Sequence, residues 1–425
     1  MQTQSSYPVD SEESELKGSK SRFFYGYVIV AASVAIQLIS VGTFFTYGIF
    51  FKPLLNEFGW SRATISGASS VTNLFVGLMG VFTGKLNDRF GPRAIMVTSG
   101  LFLGGGYLLM SLLQAPWQLY LFYGVIIGTG MASHDIVTLS TVARWFVRRR
   151  GMMTGIVKAG TGAGQLIVPL VATALLAAYS WRSSYLIIGV AALILFVLVS
   201  LVFRRDPQQM GLLPYGVDRT RTAASDSAEA GLSLGEAVRT RQFWTISLAY
   251  FSVIYCLLTI IIHIVPHVTD IGISEASAAG VLSTVGGVSM AGRFVMGTAS
   301  DRIGRKRAWI ICFIILIASF IWLHMAGELW MFYLFAVVYG FAHGGFFVLV
   351  SPMTAELFGT RAHGVIFGVV YLAGTLGGAL GPVIAGHIFD ITQSYQIVFW
   401  ILLVLSAIGL MLILTVKPLP GGWEK

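Results

Sequence analysis

An all-α membrane protein, with twelve spanning helices in two six-helix halves, is the fold class this sequence predicts. Three observations carry it. Hydrophobic residues fill 56% of the 425 positions and charged residues only 11%, and mean hydropathy is +0.78. A soluble domain holds about 25% charged residues, so this chain has too little polar surface to cover itself in water, and its solvent is lipid. The apolar residues come in continuous runs of about 20, the length a spanning helix needs, rather than in the alternation of a barrel strand. The 49 glycines spread through them suit close packing of membrane helices. Finally, the two halves of the chain repeat one another at a fixed offset.

The elements follow in order. Residues 1–22 are polar and rich in Ser and Glu, without the basic start, apolar core and small-residue cleavage site of a signal peptide. They are expected to form a disordered cytoplasmic tail. The first six-helix half, 23–203, places spans near 23–51, 62–83, 94–113, 118–142, 151–178 and 183–203. A weakly apolar stretch with Pro, Gly, Ser and Asp, residues 204–242, is the linker, and its end from Leu234 to Arg241 is expected to be a short amphipathic helix. The second half, 243–416, places spans near 243–267, 276–299, 306–326, 330–354, 364–388 and 395–416, before a short tail at 417–425.

Charge placement sets the orientation. With the N-terminus inside, 23 of the 28 Lys and Arg fall on the inner side: in the N-tail, at 85–93, 144–150, 204–241 and 302–307, at Arg361 and in the C-tail. The outer side keeps Lys52, Arg62 and Arg182. That asymmetry is the positive-inside rule. The surplus of +9 is therefore topology and not a nucleic-acid patch. A multi-pass protein of the plasma (inner) membrane with both termini cytoplasmic is expected, with membrane lipid as its surroundings. Cys256 and Cys312 both sit inside spans, which argues against a disulfide framework.

The repeat is at an offset of 213. Gly84, Asp88, Arg89 and Gly91 match Gly297, Asp301, Arg302 and Gly304. Gly59, Ser61 and Gly67 match Gly272, Ser274 and Gly280, and Gly151, Gly155 and Pro169 match Gly364, Gly368 and Pro382. Several coincidences at one shift indicate a duplicated unit. Two such halves with a site between them near the midplane form a transporter architecture. The Gly-x-x-x-Asp-Arg-x-Gly sequence, found twice, resembles the cytoplasmic signature loop of the major facilitator superfamily. That resemblance covers essentially the whole chain. It implies the major facilitator fold, and that Asp88, Arg89, Asp301 and Arg302 form switch loops, pairing with neighbouring helix ends to bias the inward/outward equilibrium.

Only Asp135, Lys158 and Arg293 are ionisable groups deep inside spans. Each costs about 2.5–3.5 kcal/mol at a helix centre on insertion scales, which makes them functional candidates. Lys158 lies eight residues past Arg150, Arg293 eight before Asp301 and Asp135 nine before Arg144. At 1.5 Å per residue, all three share a layer roughly 12–13 Å inside the cytoplasmic edge. The short turn 144–150 lets Asp135 and Lys158 meet as an ion pair, either structural or functional. Arg293 belongs to the other half and faces them across the cavity. With no acidic partner evident, it is a candidate anion anchor, since a guanidinium matches a carboxylate with two hydrogen bonds.

His134, Ser289, His343 and Tyr371 lie near the same layer and complete the candidate substrate-binding set; Tyr371 is the repeat-mate of Lys158. The two histidines can titrate near neutral pH or act as neutral hydrogen-bond partners. His263 and His267 have metal-ligand spacing but no third ligand nearby, so no metal site is expected. The run Phe44, Phe45, Tyr47, Phe50 and Phe51 reads as helix packing, with one or two rings able to face the cavity. The stretch Gly160 to Gly164 lacks the Lys-Ser/Thr ending of a phosphate loop and lies inside a span. No enzyme and no cofactor is expected, and the driving force is an ion or solute gradient.

The junction Trp145-Phe146-Val147-Arg148-Arg149-Arg150-Gly151, continuing to Gly155, Lys158, Ala159 and Gly160, resembles the fifth-helix signature of the monocarboxylate porters. Arg293 stands where those porters place a carboxylate-binding arginine. The segment Gly235 to Trp244 resembles the oxalate–formate antiporters, which also have that arginine. The chain departs from both. Phe24-Tyr25-Gly26-Tyr27 matches the porters' first-helix motif only in part, Ser289 stands where they place an Asp implicated in proton coupling, and Gly374 stands where the oxalate carriers have a lysine. The resemblance implies transport of a small organic carboxylate. The preferred expectation is symport with a proton, with Arg293 and Lys158 holding the anion and Asp135 taking the proton. The alternative is carboxylate exchange. Drug or cation efflux fits poorly with two deep cations, and a non-transporting carboxylate sensor is a further reading.

Overall fold

The computed structural model describes residues 24–217 and 231–417. The expected tails, apart from Lys417, and the middle of the linker lie outside the described residues. Twelve helices there are long and apolar enough to cross a membrane: α1 Gly26–Phe58, α2 Thr64–Phe90, α3 Pro92–Met110, α4 Pro116–Trp145, α5 Arg150–Ala178, α6 Trp181–Ser200, α7 Arg241–Asp270, α8 Ala276–Ile303, α9 Arg305–Met325, α10 Leu329–Phe358, α11 His363–Thr392 and α12 Gln396–Thr415. The shortest has 19 residues and so spans about 28 Å, close to a bilayer's apolar thickness.

Local chemistry sets several boundaries. The hydroxyls of Ser61, Ser180, Thr240 and Ser274 accept the backbone N–H three residues on, at Thr64, Ser183, Phe243 and Ser277, satisfying donors that a helix start leaves free. Gly91 and Gly304 have φ of 83° and 90°, which favours glycine, and close α2 and α8. This corrects one expectation: Asp88, Arg89, Asp301 and Arg302 are not in loops. Helix continues to Phe90 and Ile303, and the chain turns only at the glycine that follows. The short helix before α7 is also smaller than expected. It covers Leu234–Ala237, where Ser233 and Glu236 cap one another, and ends before Thr240 caps α7.

Two seams join the halves, and glycine builds both. On the side carrying the linker, a Cβ on Gly84 would stand 2.2 Å from the Gly364 carbonyl oxygen, and one on Gly151 would stand 2.4 Å from that of Gly297. These are α2 against α11 and α5 against α8. The seams continue through Gly368 against Gly80, Gly77 against Thr375, and Gly155 against the Arg293 carbonyl. Since 84 and 297, and 151 and 364, are repeat-mates, the two seams are one contact made twice. The linker is tied in at equivalent places as well. Tyr215 N–H donates to the Trp145 carbonyl (2.9 Å) and Leu232 N–H to the Phe358 carbonyl (2.9 Å), 213 residues apart.

The aromatic run in α1 packs within its own half. Tyr47 stacks on Tyr123 of α4 at 4.0 Å between centroids, and Phe50 on Tyr185 of α6 at 4.1 Å.

Candidate functional site

Small residues in α5 create the site. A Cβ on Gly160 or Gly164 would lie 2.5 Å from carbonyl oxygens of α1, so α1 and α5 touch backbone to backbone. That contact brings Gln37 of α1 against Thr161, whose hydroxyl donates to Gln37 Oε1 at 2.9 Å. Gly155 does the same toward the Arg293 backbone of α8, and Gly162 leaves room for the Met290 side chain and the Arg293 guanidinium beside it. The expected layer forms in the groove between these helices. Asp135, Lys158 and Arg293 are each at most 4% exposed.

Lys158 Nζ lies 2.7 Å from Asp135 Oδ1 and 3.0 Å from Oδ2, forming the expected ion pair. Gln37 Nε2 donates a further bond to Oδ1 at 2.8 Å and lies within 3.2 Å of Thr138 Oγ1 and the His134 carbonyl. Burying an ion pair is tolerable only when the remaining lone pairs are met, and Gln37 meets one. His134 Nδ1 sits 2.6 Å from the Met131 carbonyl, while Nε2 lies 3.5 Å from Asp135 Oδ2.

Arg293 does not stay in its own half. Its Nη1 donates to the backbone carbonyl of Lys158 at 3.0 Å, so the guanidinium reaches across to α5. Its buried Nε has no hydrogen-bond partner, and no carboxylate among the described residues lies within ion-pair distance. Phe347 of α10 lies beneath both cations, 5.5 Å from Lys158 Nζ and 5.9 Å from the Arg293 guanidinium carbon, which is cation–π range. His343 is one turn away, its ring 5.1 Å from that of Phe347 and its buried Nδ1 without a partner. Tyr371 packs between Phe367 and Tyr250, and its hydroxyl faces Asp135. Ser289 is buried, but its hydroxyl donates to its own helix at Gly286 (2.8 Å).

Counting Lys158 and Arg293 against Asp135, with the histidines neutral, the layer carries one net positive charge. An unpaired guanidinium nitrogen in a low-dielectric groove is a site for an anion with oxygen acceptors.

The signature residues separate into two groups. Asp88 accepts from the N–H groups of Gly364 (3.2 Å) and Val365 (2.9 Å) at the start of α11. Asp301 accepts from Gly151 (2.8 Å) and Met152 (2.8 Å) at the start of α5. Each carboxylate thus caps a helix of the other half, where the helix dipole favours negative charge. Arg89 and Arg302 are exposed and take no part in these contacts; Arg89 lies over the ring of Phe90. The basic partner of Asp88 is Arg144, which also reaches Asp206 and the Arg361 carbonyl. Asp301 faces Arg305, which pairs with Glu356.

His263 bonds to the Tyr395 hydroxyl and the Pro382 carbonyl, and His267 packs edge-on against Phe332, Tyr395 and Phe399.

Gln37, Thr161, Phe347 and Arg144 were not singled out from the sequence. Gln37 had a usable signal, as a lone amide within the apolar run of α1. Phe347 had none, being one of 29 phenylalanines.

Twelve spanning helices in two repeated halves, meeting at a buried charged layer, define a polytopic membrane transporter. The model of the Major Facilitator Superfamily matches residues 34–297 and 257–425, and the chain belongs to that superfamily, a family of transporters and not of enzymes. Among its relatives, the oxalate:formate antiporter of Oxalobacter formigenes is 27% identical over 392 residues, covering 89% of this chain and 88% of that protein. Monocarboxylate transporter 12 of Mus musculus is 24% identical over 404 residues, covering 88% and 82%. The solved proton:xylose symporter XylE shares the fold, with a TM-score of 0.73 at 14% identity over 92% of this chain and 94% of that one.

Proposed function

We propose that the protein carries a small organic carboxylate across the plasma (inner) membrane together with a proton, by rocking of its two halves about the charged layer. The linker side faces the cytoplasm in this reading, as the positive-inside distribution requires. One observation carries it: Arg293 is buried with a free Nε and no acidic partner among the described residues, beside a pair that already neutralises itself. The substrate carboxylate supplies the missing anion. Lys158 is the second cation, and Tyr371, His343, Ser289 and His134 surround the bound acid.

Asp135 is the proton-coupling residue. A proton taken up at its carboxylate raises the layer from +1 to +2 and frees Lys158 for the substrate. Proton and anion then favour each other's binding by the same factor. Carboxylate exchange without a proton is the second reading. It is favoured by the similarity to an antiporter and by a site already complete with Asp135 ionised.

The test is uptake of a radiolabelled carboxylate panel into proteoliposomes, with and without an inward proton gradient. Gradient-driven uptake of an acid, lost in Arg293→Ala, is expected. Uptake indifferent to the gradient and dependent on internal acid would establish exchange instead. Carboxylate-dependent proton uptake that survives Asp135→Asn would remove Asp135 from the coupling role.

A further inference from the structure

The ring of His134 is fixed in a way that a hydrogen-bonding spacer does not need. A backbone carbonyl only accepts hydrogen bonds, so Nδ1, 2.6 Å from the Met131 oxygen, must carry a proton. Nε2 is then the nitrogen free to gain or lose one, and it faces Asp135 Oδ2 at 3.5 Å. With Nε2 unprotonated, its lone pair points at a carboxylate oxygen, two acceptors with no hydrogen between them. Gln37 donates to Oδ1 and not to Oδ2, which Lys158 reaches at 3.0 Å, and the Tyr371 hydroxyl faces the same carboxylate. His134 and Asp135 are both nearly fully buried, which strengthens the mismatch.

We propose that the coupling proton is held between His134 Nε2 and Asp135 Oδ2, with His134 as its carrier and the Met131 carbonyl fixing the ring for that task. This rests on the proton-coupled reading above and assigns the proton an address within it. The charge change is unaltered. A neutral imidazole and a carboxylate become either an imidazolium–carboxylate pair or an imidazole and a carboxylic acid. Both gain one positive charge, and both loosen the hold of Asp135 on Lys158. The groups facing the pair are Lys158 from α5, Tyr250 from α7, Arg293 from α8 and Tyr371 from α11, with His343 of α10 beside Arg293. Gln37 is the neutral contact from α1. A bound carboxylate on Arg293 and Lys158 would offset their repulsion of the added proton, so the dyad fills when substrate is present.

The test uses the full-length purified protein. Nitrogen-15 spectra of labelled histidine are recorded across about pH 5 to 9, with and without L-lactate as the probe anion. His134→Gln assigns the signal. Expected is a ring whose Nδ1 stays protonated throughout and whose Nε2 titrates across the pH range in which uptake changes. A ring protonated at Nε2 and bare at Nδ1, or one that stays unchanged while uptake changes, overturns the proposal.

A second readout separates this from a structural role. The ratio of gradient-driven to gradient-free uptake should fall to about one in His134→Gln, in protein whose unfolding temperature is close to wild type. Coupling kept in His134→Gln but lost in Asp135→Asn would overturn the carrier role and leave Asp135 as the proton site. Coupling kept in both would overturn the dyad and remove Asp135 from the coupling role, whereas wild-type uptake indifferent to the gradient would sink the symport reading itself.

Discussion

Asp135 receives Lys158 on both oxygens and Gln37 on one, and that arrangement decides what a substitution there does. Removing one member of a buried pair leaves the other charge uncompensated, at a cost of about 3–5 kcal/mol, whereas removing both is often neutral. Lys158→Met and Asp135→Leu should therefore each lower the unfolding temperature of the purified protein, and the double variant should be more stable than either. Additive losses would show that the two side chains do not act as a pair. The ionisable members of this layer were legible in the sequence because charge stands out against an apolar run. Neutral contacts were not: Gln37, Thr161 and Phe347 matter through where α1 and α10 bring them, and only packing reveals that. The reach of Arg293 to the Lys158 carbonyl was likewise invisible, since it depends on Gly155 and Gly162 letting α8 approach α5.

Among the helices, the seams α2–α11 and α5–α8 are where the proposed rocking would part the two halves. A side chain at Gly151 has nowhere to go, with the Gly297 oxygen at 2.4 Å and the Ser300 hydroxyl at 2.2 Å from its Cβ position. Gly151→Val should push the linker side apart. Spin labels at the exposed Val147 and Ile303 should report longer distances by electron–electron double resonance than in wild type. An unchanged distribution would mean that this seam yields by local repacking. The repeat marks these glycines as equivalent positions of the two halves. It did not reveal that the motif between them is helical, because Asp-Arg-x-Gly reads equally as a turn or as a last turn ending in glycine.

For the whole molecule, two carboxylates cross between the halves on the linker side, one from each half. Hydrogen bonds to a charged group contribute about 1.5–3 kcal/mol, and about 1.4 kcal/mol is a tenfold population change. Asp88→Asn and Asp301→Asn should each move the same spin-label distances toward the open form. The two effects should add, because the contacts share no residue. A single variant equal to the double would show one cooperative lock instead of two.

Asp88 caps α11 and Asp301 caps α5, and the glycines beneath them meet across the halves in the same crossed way. The first half offers a carboxylate and a helix start, and the second returns the identical pair, so the interface is self-complementary. One six-helix unit facing a copy of itself across a two-fold axis would satisfy every one of these contacts with a single sequence, as isologous dimers do. The joint keeps that symmetry while the middle of the bundle does not: Lys158 stands opposite Tyr371 in the repeat, and Asp135 opposite Val348.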